Sequence, residues 1–192
     1  MKINIGVSNR HAHITRDDFK ILFNKDELTH YKDLKQKGHY AALEKVNIIW
    51  GDRVIEGVRL LGPFRDYTQV ELAKTDARYL KVDAPLRESG DLADAAPIII
   101  EGPCGHIERK AAIIATRHIH ISKEDIDRLN LNNYRYVDIY LDTEKPTLLR
   151  KVSLKETPNG YLELHLDTDD ANAALVKEGV IGEIIVNEEY HR

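Results

Sequence analysis

A mainly β protein with α+β character is what this sequence predicts, built as two small antiparallel β-barrel halves from an internal duplication, with short capping helices. Three observations carry that expectation. A seven-residue phrase occurs twice, as Asn9-Arg10-His11-Ala12-His13-Ile14-Thr15 and as Thr116-Arg117-His118-Ile119-His120-Ile121-Ser122, 107 positions apart. Long stretches rich in Val, Ile, Leu and Tyr alternate with a period near two and break at turn residues. Regular helices of about 10–15 residues do not separate the strands, which sets aside Rossmann and TIM architectures.

Taken in order, each copy of the phrase follows an apolar strand, Ile3 to Val7 and Ala111 to Ala115. Each is followed by a helix start with capping-box spacing, Thr15-x-x-Asp18 and Ser122-x-x-Asp125, where hydroxyl and carboxylate can satisfy free backbone N–H groups. The helices continue through Phe19, Ile21 and Leu22, and through Ile126 and Leu129. Hairpins are expected from Val46 to Leu61 turning at Gly51-Asp52, from Ile98 to Ile114 turning around Gly102-Pro103, and from Val137 to Leu154 turning near Lys145-Pro146. A second matched pair runs Val70-Glu71-Leu72-Ala73-Lys74-Thr75-Asp76-Ala77 and Leu164-His165-Leu166-Asp167-Thr168-Asp169-Asp170-Ala171. Both read as a strand end leading into a short helix, the second closing at Gly179. The polar stretch Asp83 to Asp91 is the expected connection, giving halves 1–92 and 93–192, with the N-terminal strand free to pack across that boundary.

Composition bounds the function classes. A chain of 192 residues with 42% hydrophobic and 31% charged residues is ordinary for a soluble globular protein. Net charge is −4 and the pI near 6.1, so no global basic field would attract nucleic acid or an anionic membrane. No apolar run approaches the roughly 20 residues of a spanning helix. The lone cysteine, Cys104, excludes an internal disulfide and fits a reducing compartment. A cytoplasmic location is expected, since the β-like alternation begins at once and leaves no room for a signal peptide.

The His-x-His pairs carry the chemistry. Side chains at i and i+2 of a strand leave the same face about 6.5 Å apart, so two imidazoles can converge on one cation. Alignment of the second matched pair adds a third donor to each copy. One set is His11, His13 and Glu71; the other is His118, His120 and His165. Three protein donors with a fourth position open is the pattern of a catalytic zinc site, and N/O donors without cysteine suit Zn²⁺ best, with Co²⁺, Mn²⁺ or Fe²⁺ possible. Arg65, at the Gly62-Pro63 turn six residues before Glu71, could hold phosphate through two parallel hydrogen bonds, and Arg59 lies on the strand leading there. Arg10 and Arg117 point away from the His teeth on an extended segment and are expected to pair with buried carboxylates. His30, His39, His106 and His191 lack a repeated context and read as surface residues. Cys104 in its Gly-Pro-Cys-Gly turn is not favoured as a nucleophile, although His106 is near in sequence.

These motifs resemble the PduL-type phosphotransacylases, the phosphate propanoyltransferase family. The likeness runs from Val7-Ser8-Asn9-Arg10-His11-Ala12-His13 through Gly62-Pro63-x-Arg65-x-x-Thr68-Gln69-Val70-Glu71. It continues through Arg87-x-Ser89-Gly90-Asp91-Leu92, Arg117-His118-Ile119-His120 and His165-x-Asp167-Thr168-Asp169-x-Ala171-Asn172. The resemblance implies exchange of a short acyl group, acetyl or propanoyl, between coenzyme A and orthophosphate. It also implies two β-barrel halves and a dinuclear, zinc-type centre on the six donors already chosen. Phosphate binding would fall on Arg65, and coenzyme A contacts on Ser8, Arg59, Leu61 and Asn172. Relatives packaged in propanediol-utilising microcompartments carry an N-terminal encapsulation helix; this chain starts ten residues before His11. The expectation is therefore a free cytosolic enzyme of acetate metabolism, and a homodimer by family and size.

Two rival functions share parts of this pattern. A binuclear metal-dependent hydrolase also uses His-x-His at a strand end, but usually on a TIM barrel of roughly 250 residues. A non-catalytic, metal-stabilised β-barrel module would instead close its coordination with protein atoms alone.

Overall fold

The computed structural model describes residues 1–158 and 161–191. In chain order it begins with β1 (Lys2–Ser8), β2 (His11–His13), α1 (Arg16–Phe23), β3 (His30–Asp33), β4 (Tyr40–Trp50), β5 (Arg53–Gly62), β6 (Gln69–Glu71), α2 (Lys74–Leu80), β7 (Leu86–Arg87) and β8 (Ala96–Glu101). It continues with β9 (His106–Ala115), β10 (His118–Ile121), α3 (Lys123–Arg128), β11 (Tyr136–Leu141), β12 (Thr147–Glu156), β13 (Glu163–Asp167), α4 (Thr168–Ala173) and β14 (Ile181–Ile185). All three expected hairpins form, with their turns at the residues the sequence indicated.

The chain divides into two compact units, Asn9–Ala115 and Met1–Ser8 with Thr116–Arg192. In the first, β2, β5, β4, β8, β9 and β6 close a six-stranded ring, with β3 and β7 added at edges. In the second, β10, β12, β11, β14, β1 and β13 close a ring with the same sequence of pairings. Antiparallel contacts dominate, but each ring also holds two parallel ones: β2 with β5 and β6 with β9, then β10 with β12 and β1 with β13.

The division falls elsewhere than residue 92. Strands β8 and β9 pair with β4 and β6, so they belong to the first unit. Each strand that leads into a His-x-His phrase is built into the ring of the other unit. Thus β1 runs beside β13, and β9 beside β6.

Each ring is filled by inward-facing branched residues. Val46, Ile48, Val58, Leu60, Val70, Ile98 and Ile100 pack together in the first; Ile119, Ile121, Val137, Ile139, Val152, Leu164 and Leu166 in the second. Helix α1 adds Phe19 and Leu22, both 0% exposed, with Phe19 packed on Phe64. Each such side chain contributes about 1.5–3 kcal/mol on leaving water.

The hydroxyl arm of each expected capping box is made: Thr15 and Ser122 accept from the amides of Asp18 and Asp125, both at 3.1 Å. The carboxylate arm is spent elsewhere. Asp18 is buried and accepts from the Thr68 hydroxyl and the Arg109 guanidinium, each at 2.6 Å, tying α1 to the barrel wall. Asp125 accepts from the Ser122 hydroxyl at 3.1 Å and pairs with Arg128. Helix α4 also ends earlier than expected, with its cap at Ala174. Gly179 sits beyond it at φ +84°, in the turn before β14, where left-handed backbone favours glycine.

Asp138 anchors the C-terminal segment. Its carboxylate accepts from the Lys151 amide (3.1 Å), the Tyr190 hydroxyl (2.9 Å) and the Asn187 side chain (3.1 Å). Burial opposes its ionisation, but those donors and Arg150 outweigh it and hold the carboxyl below its usual range. A folded-state value below the unfolded one stabilises above pH ~4, and that stabilisation is lost as pH falls through the folded value. Asp138→Asn turns an amide N–H toward existing donors. It is expected to cost about 2 kcal/mol and to flatten the acid limb of stability, read by urea unfolding from pH 3 to 7. An unchanged acid limb would show that Asp138 does not contribute it.

Candidate metal centres

Both donor sets are assembled by the same local rule. Strands β2 and β6 are antiparallel, with His11 opposite Glu71 and His13 opposite Gln69. Directly opposed residues of an antiparallel pair share a face, so these four side chains form a two-by-two patch. Strands β10 and β13 repeat it, with His118 opposite His165 and His120 opposite Glu163. The three-residue strands β2 and β6 pair tightly because Ala12 and Val70 between the polar residues face the core, both at most 1% exposed.

The spacings fit a small cation. Zn–N bonds of about 2.0–2.1 Å at tetrahedral angles place donors about 3.3 Å apart. His11 Nε2 lies 3.4 Å from Glu71 Oε2, and His118 Nε2 lies 3.2 Å from His120 Nε2. Within His11, His13 and Glu71, and within His118, His120 and His165, one donor atom per residue lies within 4.8 Å of the others. Each set could therefore hold a metal ion.

Ring orientation is fixed from behind. His11 Nδ1 is 2.9 Å from the Asn9 carbonyl, and His118 Nδ1 is 2.8 Å from the Thr116 carbonyl. Donating Nδ1–H to a carbonyl leaves the Nε2 lone pair for a cation. His165 Nδ1 has the Ser8 hydroxyl 3.4 Å away, with the Tyr161 hydroxyl 3.0 Å from its Nε2. Tyr161 also stacks on the His120 ring at 5.5 Å, and burial followed by the Glu163 charge pushes its hydroxyl up to about 12.

His13 is buried, and its Nδ1 has no hydrogen-bond partner among the described residues. Burial first, then His11 and Arg65, hold its pKa well below the ordinary histidine value. Both effects favour the neutral imidazole, the form that ligates metal.

Arg65 stands close to this first centre. Its backbone amide donates to the Ile14 carbonyl at 3.1 Å, and its Nη1 to the Tyr67 hydroxyl at 2.5 Å. Arg59 pairs in register with His11; its Nη1 donates to the Ala42 carbonyl at 2.6 Å, and its guanidinium lies over Tyr31. Leu61 is half-buried on β5, Ser8 adjoins His165, and Asn172 is exposed on α4. Arg10 and Arg117 pair with carboxylates at matching positions of α2 and α4: Asp76 at 2.6 Å, buried as expected, and Asp170 at 3.5 Å, which is only half-buried. Cys104 is an exposed thiol on the β8–β9 turn.

Several contributors lie outside the residues that the motifs single out. Gln69, fully buried, donates to Glu71 Oε1 at 2.7 Å and to the Ser89 hydroxyl at 3.0 Å, and accepts from the Gly90 amide at 2.8 Å. The Ser89-Gly90 stretch therefore braces a candidate metal ligand instead of linking domains. His39 is half-buried rather than a surface residue, and its charge is felt by His13. Gln69, Glu163 and Tyr161 were missed; the pleat alone, two residues before each third donor, would have found Gln69 and Glu163.

Comparison with known proteins identifies the family. A family model described as phosphate propanoyltransferase matches residues 4–177. A phosphate propanoyltransferase from Thermotoga maritima is 42% identical over 180 residues, covering 92% of this chain and 86% of the relative. Those from Limosilactobacillus reuteri (39% over 188 residues, 96% and 88% coverage) and Lachnoclostridium phytofermentans (42% over 186 residues, 95% and 87% coverage) are similar over the same extent. With the family matched from β1 to the loop after α4, and relatives well above 30% identity along most of their length, this chain belongs to the phosphate propanoyltransferase family and is an acyltransferase.

Proposed function

We propose that the protein moves a short acyl group between coenzyme A and orthophosphate with the help of two divalent cations, one held by His11, His13 and Glu71 and one by His118, His120 and His165. The observation that supports this most is the doubled patch, whose donor edges of 3.4 and 3.2 Å match a zinc coordination sphere. A cation bound there would supply Lewis acidity toward the thioester oxygen or the departing sulfur.

The chain's own residues do the rest. Arg65, steadied by Tyr67, offers its free N–H groups to phosphate, a planar fork suited to two parallel hydrogen bonds. Held there, a phosphate oxygen attacks the acyl carbon; the new C–O bond forms as the C–S bond breaks, and the thiolate takes a proton from solvent. Much of the gain is in positioning two anions that repel in water. No side chain becomes acylated, so initial-rate patterns should intersect as for a ternary complex. Coenzyme A contacts are assigned to Ser8, Arg59, Leu61 and Asn172 by motif position.

The test joins metal analysis to an assay of acetyl-CoA and propanoyl-CoA cleavage with and without phosphate. About two equivalents of metal and cleavage that requires phosphate are expected. Cleavage that proceeds equally without phosphate would mark a hydrolase. Tightly bound metal with no cleavage of either thioester would mark a structural module.

A further inference from the structure

The two patches are alike in shape but differ in where their carboxylate sits. In the first, the acidic residue is opposite the leading histidine, Glu71 facing His11, and its neighbour on the strand is the neutral Gln69. In the second, His165 occupies the place of Glu71, and the carboxylate has moved one pleat back to Glu163, facing His120. Glu163 is 5% exposed, and its Oε1 lies 3.3 Å from His165 Nε2, the ring atom that also faces the Tyr161 hydroxyl.

Space is kept for that carboxylate. The residue beside His165 on β1 is Gly6, and a Cβ there would collide with Glu163 Oε1. At the matching place in the other ring, beside Glu71, stands a fully buried Ile113. Each patch thus contains one carboxylate, and the glycine appears where that carboxylate is displaced.

We infer that Glu163 is the carboxylate member of the second centre: beside three histidines it takes the part that Glu71 plays in the first, and so sets the metal affinity of His118, His120 and His165. This rests on the reading that divalent cations occupy both donor sets. A buried carboxylate is costly beside apolar neighbours and favoured beside a dication, so its effect should appear in metal binding rather than in folding. Supporting groups of this kind shift metal affinity about 10–100-fold.

The test is Glu163→Gln, which keeps shape and removes charge. Metal-depleted wild type and variant are titrated with Zn²⁺ against a chromophoric chelator, and with Co²⁺ followed by visible absorption. Wild type should take up two equivalents. The variant should keep one at wild-type affinity and bind the other at least ~10-fold more weakly, with the cobalt bands of that site altered. Adding Glu163→Gln to His120→Ala should weaken binding no further than His120→Ala alone, because both act on one site. Two equivalents with unchanged affinity in the variant overturn the inference alone. A wild type that takes up no divalent metal overturns the parent reading and this inference with it. A variant that fails to fold without metal assigns Glu163 a structural role and also overturns it.

Discussion

His120→Ala is expected to abolish one of two bound metal equivalents and to lower turnover at least ~1,000-fold. His120 is buried on β10, where its ring packs against His118, His165 and Tyr161. Its Nε2 lies 3.2 Å from that of His118, so removing it leaves two imidazoles where three converged. A two-donor site keeps little of the chelate advantage. Lewis-acid stabilisation of developing charge is worth several kcal/mol, and about 4 kcal/mol corresponds to a thousandfold in rate. The fold should survive, because the ring of strands is held by Ile119 and Ile121 on the opposite face of β10, both fully buried. Metal content by elemental analysis, far-UV circular dichroism and phosphate-dependent acyl-CoA cleavage read the three parts separately. A variant that loses the metal and keeps full activity would refute a role for that centre in the reaction.

Much of this molecule was legible because a repeat constrains more than a single motif does. One His-x-His fixes a local face, whereas two copies with matching downstream segments nominate a third donor for each, which the structure brings alongside by pairing β2 with β6 and β10 with β13. The outward aim of Arg10 and Arg117 followed from the pleat, and Asp76 and Asp170 receive them at equivalent positions. What was hidden depended on partners far apart in sequence. That the N-terminal strand could cross the boundary was foreseen, and β1 does lie beside β13; the placement of β9 beside β6 leaves no local trace, because an apolar strand packs equally well in either ring. For the same reason the polar stretch Asp83 to Asp91 resembled a linker, although Ser89 and Gly90 grip the buried Gln69. The capping-box carboxylate of Asp18 was likewise drawn to Arg109, 91 residues away, where a charged partner outcompetes a backbone amide.

Arg65→Ala should act on phosphate and on little else. The guanidinium sits on the turn that follows β5, with Nη1 on the Tyr67 hydroxyl and its charge felt by His13, so an anion beside the first centre would meet it. Charge-assisted hydrogen bonds contribute about 1.5–3 kcal/mol, which places the loss in kcat/KM for phosphate near 100-fold. KM for the acyl-CoA should move less than threefold, and the backbone amide bond to Ile14 should hold the turn in place. Arg65→Lys restores charge without the planar fork and should recover only part of the loss. Initial rates over a grid of phosphate and acyl-CoA concentrations separate these effects. If phosphate dependence is the same in wild type and Arg65→Ala, the anion is held elsewhere, and the next cation to test is Arg59, which pairs in register with His11 on the adjacent strand.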